Sequence, residues 1–425
     1  MCYAIPGKVV GIRDNIAVVD YFGERRNVLS EFADVRLGDY VYAQGGVLIQ
    51  KIGKKDAMLI LKEWRSRFFQ LRRADLKISR AMEAKFKGKG RNEGMRRPKK
   101  REILHLLKAN DKEELAALFN AANRLRQKRL KNSCCVHGII EFSNYCRNNC
   151  SYCGIRNGSY SCRYRMGIDE IVELADHAVN KLGFKALVLQ SGEDFWYTTK
   201  RLTEIIRGIK ERCGVLLFMS IGERSPECYK KMYDAGARGV LLRFETSNPE
   251  LYKKIHSGPK SGFQKRIGLL RHASKLGYII ATGSLIGLPG QSEEDIMNDI
   301  LLAKSLNAEM YSFGPLIPHH QTPLAGARSV NINAVLKVIA VSRLVSPDAK
   351  ILVTTALETL DKKNGKRLGL LSGANSLMIN LTPPEYRKCY NIYPGRPDMN
   401  NTARSIEETL KLLYSLGRAP TDLGR

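Results

Sequence analysis

From residue 137 onward the chain alternates short apolar runs with helical patterns. The strand-like runs are 138–142, 186–190, 215–220, 239–244, 279–285, 310–313, 351–354 and 376–379. Helical periodicity falls near 168–182, 199–212, 225–236, 262–276, 292–306 and 332–345. Short runs this apolar, separated by helices, read as parallel strands buried on both faces. Eight of them make an α/β fold, a (β/α)8 TIM-type barrel, the expected architecture; a doubly wound open sheet is the alternative.

A barrel of this kind places its working groups just past the C-terminal ends of its strands. Every predicted strand meets that requirement. The first leads into Cys146-Arg147-Asn148-Asn149-Cys150-Ser151-Tyr152-Cys153, the second into Ser191-Gly192-Glu193-Asp194, and the third into Gly222-Glu223-Arg224. The fourth ends in Arg243-Phe244-Glu245-Thr246 and the fifth runs into 283–290, which contains Ile286 and Leu288. Pro318-His319-His320, Thr354-Thr355 and Asn380-Leu381-Thr382 follow the last three. One such group could be a helix cap, but eight point to a single cavity.

The first group has the most specific chemistry. Cysteines in a C-x3-C-x2-C spacing can ligate three irons of a 4Fe-4S cluster and leave the fourth iron open to another ligand. Three thiolates do not complete a structural zinc shell, and pairing two of them would strand the third.

Residues 1–54 read as a separate small β-barrel. Five short runs, 8–12, 16–21, 24–29, 40–44 and 47–52, are separated by turn residues such as Asp14-Asn15 and Gly45-Gly46. Residues 55–99 are expected to form a helix, with Met58, Leu61, Trp64, Phe68, Leu71 and Leu76 on its apolar face, and a basic linker over 87–98. The third unit, 100–425, begins with helices over 100–107 and 112–130, the second capped by Asp111.

The formal net charge is +28, and residues 54–131 alone carry 25 Lys and Arg against 9 Asp and Glu. A basic helix and linker reads as a solvated face more readily than as a nucleic-acid grip. No apolar run is long enough to span a bilayer and no signal segment opens the chain, so a cytoplasmic location is expected. In that compartment the ten cysteines read as metal ligands and buried thiols, not as a disulfide framework.

The cysteine motif, with Tyr152 just before its last cysteine, resembles that of the radical S-adenosylmethionine (SAM) enzymes. The resemblance implies a 4Fe-4S cluster on Cys146, Cys150 and Cys153, whose open iron binds SAM. One electron then splits SAM into methionine and a 5'-deoxyadenosyl radical. Around that cofactor, Ser191 and Gly192 would form part of the cradle. Glu193 or Glu245 would meet the amino group or ribose, Arg243 or Arg266 the carboxylate, and Tyr152, Ile286 and Leu288 the adenine.

A closer resemblance rests on 140–146, Leu189-Gln190-Ser191-Gly192-Glu193-Asp194, Ser220-Ile221-Gly222-Glu223-Arg224, Leu241-Leu242-Arg243-Phe244-Glu245-Thr246, Gly287-Leu288-Pro289-Gly290-Gln291 and Tyr390-Asn391-Ile392-Tyr393-Pro394-Gly395. These stretches are similar to HydE, the radical SAM maturase family of FeFe-hydrogenase. The resemblance implies an iron-carbonyl-cyanide or thiol-containing substrate, met at Arg243, Thr354, Thr355, Met378, Tyr390 and Tyr393. Other hydrogenase-maturation proteins and a reductant such as ferredoxin or flavodoxin are the implied partners. No cysteine follows Cys389, so a second C-terminal cluster is not expected. The opening Met1-Cys2-Tyr3-Ala4-Ile5-Pro6-Gly7-Lys8-Val9 resembles the HypC hydrogenase-maturation chaperones. That match implies Cys2 as an iron ligand, but Gln44 stands where the family usually has histidine. A methylornithine-synthase-like mutase and a non-catalytic iron-cyanide scaffold remain alternatives.

Overall fold

In the computed structural model, which describes residues 4–30, 34–84, 97–256, 262–396 and 401–422, the first five strands close into a small barrel. They are Gly7–Arg13, Ile16–Tyr21, Glu24–Leu29, Tyr40–Gln44 and Val47–Ile52, and their order around the barrel is 1-2-3-5-4. Alternate side chains, among them Ala17, Val19, Tyr21, Val41, Ala43 and Leu48, fill its interior. Cys2 and residues 87–96 of the expected linker lie outside the described residues.

Helix Lys54–Ala84 follows. Its Trp64, Phe68 and Leu71, at i, i+4 and i+7, pack on the small barrel. One turn further on, Asp75 is buried between two cations. Arg126 donates to both of its oxygens, at 2.7 and 2.8 Å, and Arg418 Nε lies 3.1 Å away. Asn123 Oδ1 accepts from both arginines. The basic stretch is therefore more than a solvated face: Arg126 belongs to a sealed ionic junction that joins the long helix to helix Lys112–Leu130 and to the end of the chain. Burial lowers the Arg418 pKa to about 10, with the neighbouring Arg126 adding to the shift.

The remainder is an eight-stranded parallel barrel, as expected. Its strands, Cys135–Ser143, Ala186–Ser191, Leu216–Ser220, Gly239–Leu241, Ile279–Thr282, Met310–Tyr311, Lys350–Ile351 and Ser376–Asn380, follow one another in chain order. The two ends of the sheet meet through a single bridge, Leu352 to Ser376. Sequential winding excludes the doubly wound alternative, which requires the strand order to reverse. Alternation sorts the side chains: Leu187, Leu217, Val240 and Ile280 face the helices, while Val188, Phe218, Leu241 and Ala281 face inward.

Several boundaries differ from expectation. The fourth and fifth strands stop at Leu241 and Thr282, and a second small sheet pairs Leu285–Ile286 with Gly314–Pro315 above the barrel. Helices Pro249–Ile255, Thr355–Leu360 and Gly365–Leu371 are too short to show a helical period, while Thr402–Ser415 packs Ile406, Leu410 and Leu413 against the core. Cys162 and Cys389 are joined by a disulfide, their Cα atoms 5.4 Å apart. This corrects the reading of all the cysteines as ligands or buried thiols. The bond ties the loop after the cysteine motif to the loop after the last strand.

The small barrel closes the floor of the large one. Cross-strand partners share a face. Ala43 and Leu48 are paired and point into the small barrel, so the adjacent pair Gln44 and Val47 points the other way. Val47 packs with Ala186, Leu216, Ile279 and Met310 inside the large barrel. The turn between the two strands is Gly45-Gly46, with φ of 64° and 78°. A Cβ on Gly45 would also lie 2.9 Å from Leu216 and 3.0 Å from Ile279. Gly45 N donates to Asp422 at 2.7 Å, and Lys185 Nζ donates to Gln50 at 3.2 Å.

Candidate active site

The three cysteines lie on a loop leaving the first large-barrel strand. Its approach to the second strand is so close that a Cβ on Gly192 would stand 2.3 Å from the Tyr145 carbonyl and 2.8 Å from Cys146 Cβ. Asn144 Nδ2 donates to the carbonyls of Cys162 and Cys389, at 2.6 and 2.7 Å. Gly154 N donates to Ile392 O and Ser151 N to Ile255 O. The loop is therefore held from three sides before any cofactor arrives.

Glu193 is the main brace. Its amide donates to Cys146 Sγ at 3.3 Å, while its carboxylate accepts from Arg147 Nε at 2.7 Å and from Asn148 Nδ2 and Glu223 N at 2.9 Å. A carboxylate so engaged orients the ligand loop, and it also lines the adjoining chamber, with acceptor capacity left on Oε1.

The thiols suit a positively charged group. Burial, and then the proximity of Cys146, push the Cys150 thiol up to about 12; burial and the other two cysteines also raise Cys153. Three mutually repelling thiolates need a shared cation, which cluster iron supplies.

Cys146 and Cys153 line a chamber with Tyr152, Gln190, Ser191, Gly192, Arg243, Glu245, Arg266, Tyr390 and Tyr393. Arg243 Nη2 and Glu245 Oε2 form an ion pair at 2.8 Å. Beside this pair, Arg243 Nε is buried without any hydrogen-bond partner. Such atoms are costly unless a ligand meets them. Glu245 also holds a φ of 67°, a conformation rare for a non-glycine residue. Arg266 is already committed, to Glu223 Oε1 at 2.9 Å and the Arg243 carbonyl at 3.1 Å. An amino acid's charged end fits Arg243 and Glu245, beside the cysteines.

An apolar slot adjoins these charges. Tyr152 packs with Ile255, Leu285, Leu288 and Leu316, and its hydroxyl lies 3.1 Å from His256 Nε2. Burial lowers the His256 pKa to about 3, so the ring is neutral. Ile286 is a correction: its side chain joins the outer core between barrel and helices, and Leu285, one residue earlier, takes the place expected for it. A shift of one residue along a strand reverses the face.

The residues implied for substrate are distributed down the barrel. Arg243, Tyr390 and Tyr393 face the chamber, and Tyr390 also lines an adjoining pocket with Thr355, Asn380 and Arg396. Thr354 caps helix Thr355–Leu360 by accepting from Leu357 N at 3.3 Å, and Met378 lies on the inner wall below. Sequence reasoning did not single out Glu141, which accepts from Arg396 at 2.5 Å and from Asn380 at 2.9 Å. Its inward register on the first strand was the available signal.

Residues 140–303 match the Radical SAM superfamily, 1–64 the HupF/HypC family, and 312–419 the Biotin and Thiamin Synthesis associated domain. The chain is 40% identical to the [FeFe] hydrogenase maturase subunit HydE of Thermotoga maritima over 328 residues, covering 76% of this chain and 93% of that protein. It is 30% identical to 3-methylornithine synthase of Methanosarcina barkeri, over 74% of this chain and 88% of the relative. The crystal structure of methylornithine synthase superposes with a TM-score of 0.68 at 27% identity, over 76% of this chain and 94% of that one. By this likeness to a maturase covered almost in full, the chain belongs to the HydE family of radical SAM enzymes, with a HupF/HypC domain fused at its N-terminus.

Proposed function

We propose that the protein acts in FeFe-hydrogenase maturation by cleaving SAM and directing the resulting radical at an iron-carbonyl-cyanide or thiol-containing precursor held lower in the barrel. The observation that carries this reading is the Arg243–Glu245 ion pair, with Arg243 Nε left without a hydrogen-bond partner, in the chamber that Tyr390 and Tyr393 also line. Cys146, Cys150 and Cys153 would hold the 4Fe-4S cluster, which when bound supplies the electron that cleaves SAM. The chain's own residues bind and orient. Arg243 meets the carboxylate, Glu245 the amino group, and Tyr152, Leu285 and Leu316 exclude water around adenine. Tyr390, Tyr393 and Thr355 face the substrate. Units 1–54, 55–99 and 100–425 would divide the labour, with the first exchanging the iron fragment through Cys2. The expected setting is cytoplasmic; among the described residues no helix is long and apolar enough to cross a membrane.

The test is anaerobic reconstitution followed by infrared spectroscopy in the cyanide and carbonyl region, with 5'-deoxyadenosine measured in parallel. Cys2→Ser is expected to reduce cofactor maturation and leave SAM cleavage intact. An undiminished maturation yield would exclude the role of Cys2, and absence of 5'-deoxyadenosine from the wild type would exclude the whole reading. A mutase acting on an organic substrate gives the small barrel no comparable task.

A further inference from the structure

Four large hydrophobic side chains near the cysteine loop are exposed: Tyr145 at 37%, Phe195 at 48%, Trp196 at 38% and Tyr160 at 94%. Three of them form one surface with arginines stacked over their rings. Arg147 and Arg224 lie 4.1 and 4.2 Å from the Phe195 centroid, Arg165 lies 3.8 Å from that of Tyr145, and Arg201 lies 3.9 Å from that of Trp196. The two acids within this group, Glu193 and Asp194, are each only 4% exposed and are turned inward as braces. The outward charge is positive, with Arg147 and Arg165 side chains 39% and 32% exposed and Lys200 exposed beside them.

The position of this patch is as informative as its composition. Tyr145 and Arg147 flank Cys146 in the chain, and Phe195 and Trp196 follow within three residues of Glu193, whose amide reaches the Cys146 sulfur. This is therefore the exposed surface one residue away from a cluster ligand. Tyr, Trp, Phe and Arg are the residues enriched where proteins dock, and an outward positive field selects an acidic partner. Each ring already has a guanidinium over one face.

On the reading above, each cleavage of SAM consumes one electron that the chain does not itself supply. We infer that the surface of Tyr145, Arg147, Phe195, Trp196, Lys200 and Arg201 docks a small acidic one-electron carrier protein. The carrier is oxidised by one electron, the cluster is reduced by one, and no bond forms between the proteins. Electron tunnelling weakens steeply with distance, so docking beside Cys146 shortens the path.

The test uses reconstituted full-length protein and a flavodoxin kept reduced by its NADPH-dependent reductase. Trp196→Ala and the double variant Lys200→Glu/Arg201→Glu are each compared with wild type. Flavodoxin affinity, measured by calorimetry, and flavodoxin-driven 5'-deoxyadenosine formation should both fall at least about tenfold, while the dithionite-driven rate is unchanged. The wild-type flavodoxin rate should also fall as salt is added. Unchanged flavodoxin affinity in both variants would overturn the inference, as would an equal loss with dithionite. Loss of binding to a single-stranded RNA oligonucleotide with flavodoxin binding intact would identify a nucleic-acid surface instead. If the wild type makes no 5'-deoxyadenosine even with dithionite, it is the proposed function that has failed; flavodoxin binding still tests the surface.

Discussion

The two ends of the large barrel are built on opposite principles. At the mouth, Arg243 and Glu245 form an ion pair facing the chamber, Arg243 Nε has no hydrogen-bond partner, and Glu245 holds a positive φ. At the floor, Val47 from another domain fills the opening against Ala186, Leu216, Ile279 and Met310, and the Gly45 amide is satisfied by Asp422. One end gathers charged side chains where a ligand must bind; the other is filled by apolar packing from another domain, although Gln44 Oε1 beside Val47 is itself buried without a hydrogen-bond partner. The difference separates chemistry from stability along one axis, as expected of this architecture.

That contrast can be broken by substitution. The largest effect belongs to the mouth: Cys150→Ala should reduce SAM cleavage by at least about 10³-fold while the melting transition of the iron-free protein shifts little. Below the floor, Asp75→Asn should cost about 3–5 kcal/mol of stability, because two buried guanidiniums lose their counterion, with activity per folded molecule preserved. Gly45→Val adds both positive-φ strain and a clash with Leu216, and should cost about 2–4 kcal/mol in denaturant unfolding. If it instead abolished SAM cleavage in protein that remained folded, the floor would be part of the reaction site.

The smallest effect tests the mouth's supporting layer. Burial raises the Asp299 pKa to about 7, although Ser247 N donates to it at 2.5 Å. The folded state thus binds a proton that the unfolded state releases above its ordinary carboxylate pKa, so stability falls as pH rises from about 4 to about 7. Asp299→Asn removes this dependence. Its stability advantage over wild type should grow by about 1–3 kcal/mol between pH 5 and pH 8, measured by denaturant unfolding at each pH. A constant difference would show that the carboxylate is already ionised in the fold.

The eight strands were legible because burial on both faces makes them apolar throughout, and the cysteine spacing was legible because it is local. The strand ends were not. The fourth strand stops at Leu241 so that Arg243 and Glu245 can turn into the mouth, and nothing in their apolar neighbours signals that turn. Ile286 was misassigned because two apolar residues in succession do not reveal which one faces inward. Pairings across great sequence separation were equally hidden: Tyr152 meets His256 104 residues later, and the Cys162–Cys389 bond spans 227. The docking of the hairpin left no mark in its own sequence beyond two glycines, which a free turn would also require.

The seated hairpin has a further consequence for how the two domains work together. Val47 occupies the barrel's lower opening, so a separate copy of the small domain has no vacant seat there. The fused copy is present at a local concentration set by tether geometry, not by expression, and its encounter with the large barrel is unimolecular. Dilution cannot separate the pair, and excess free chaperone should compete poorly with a resident already seated.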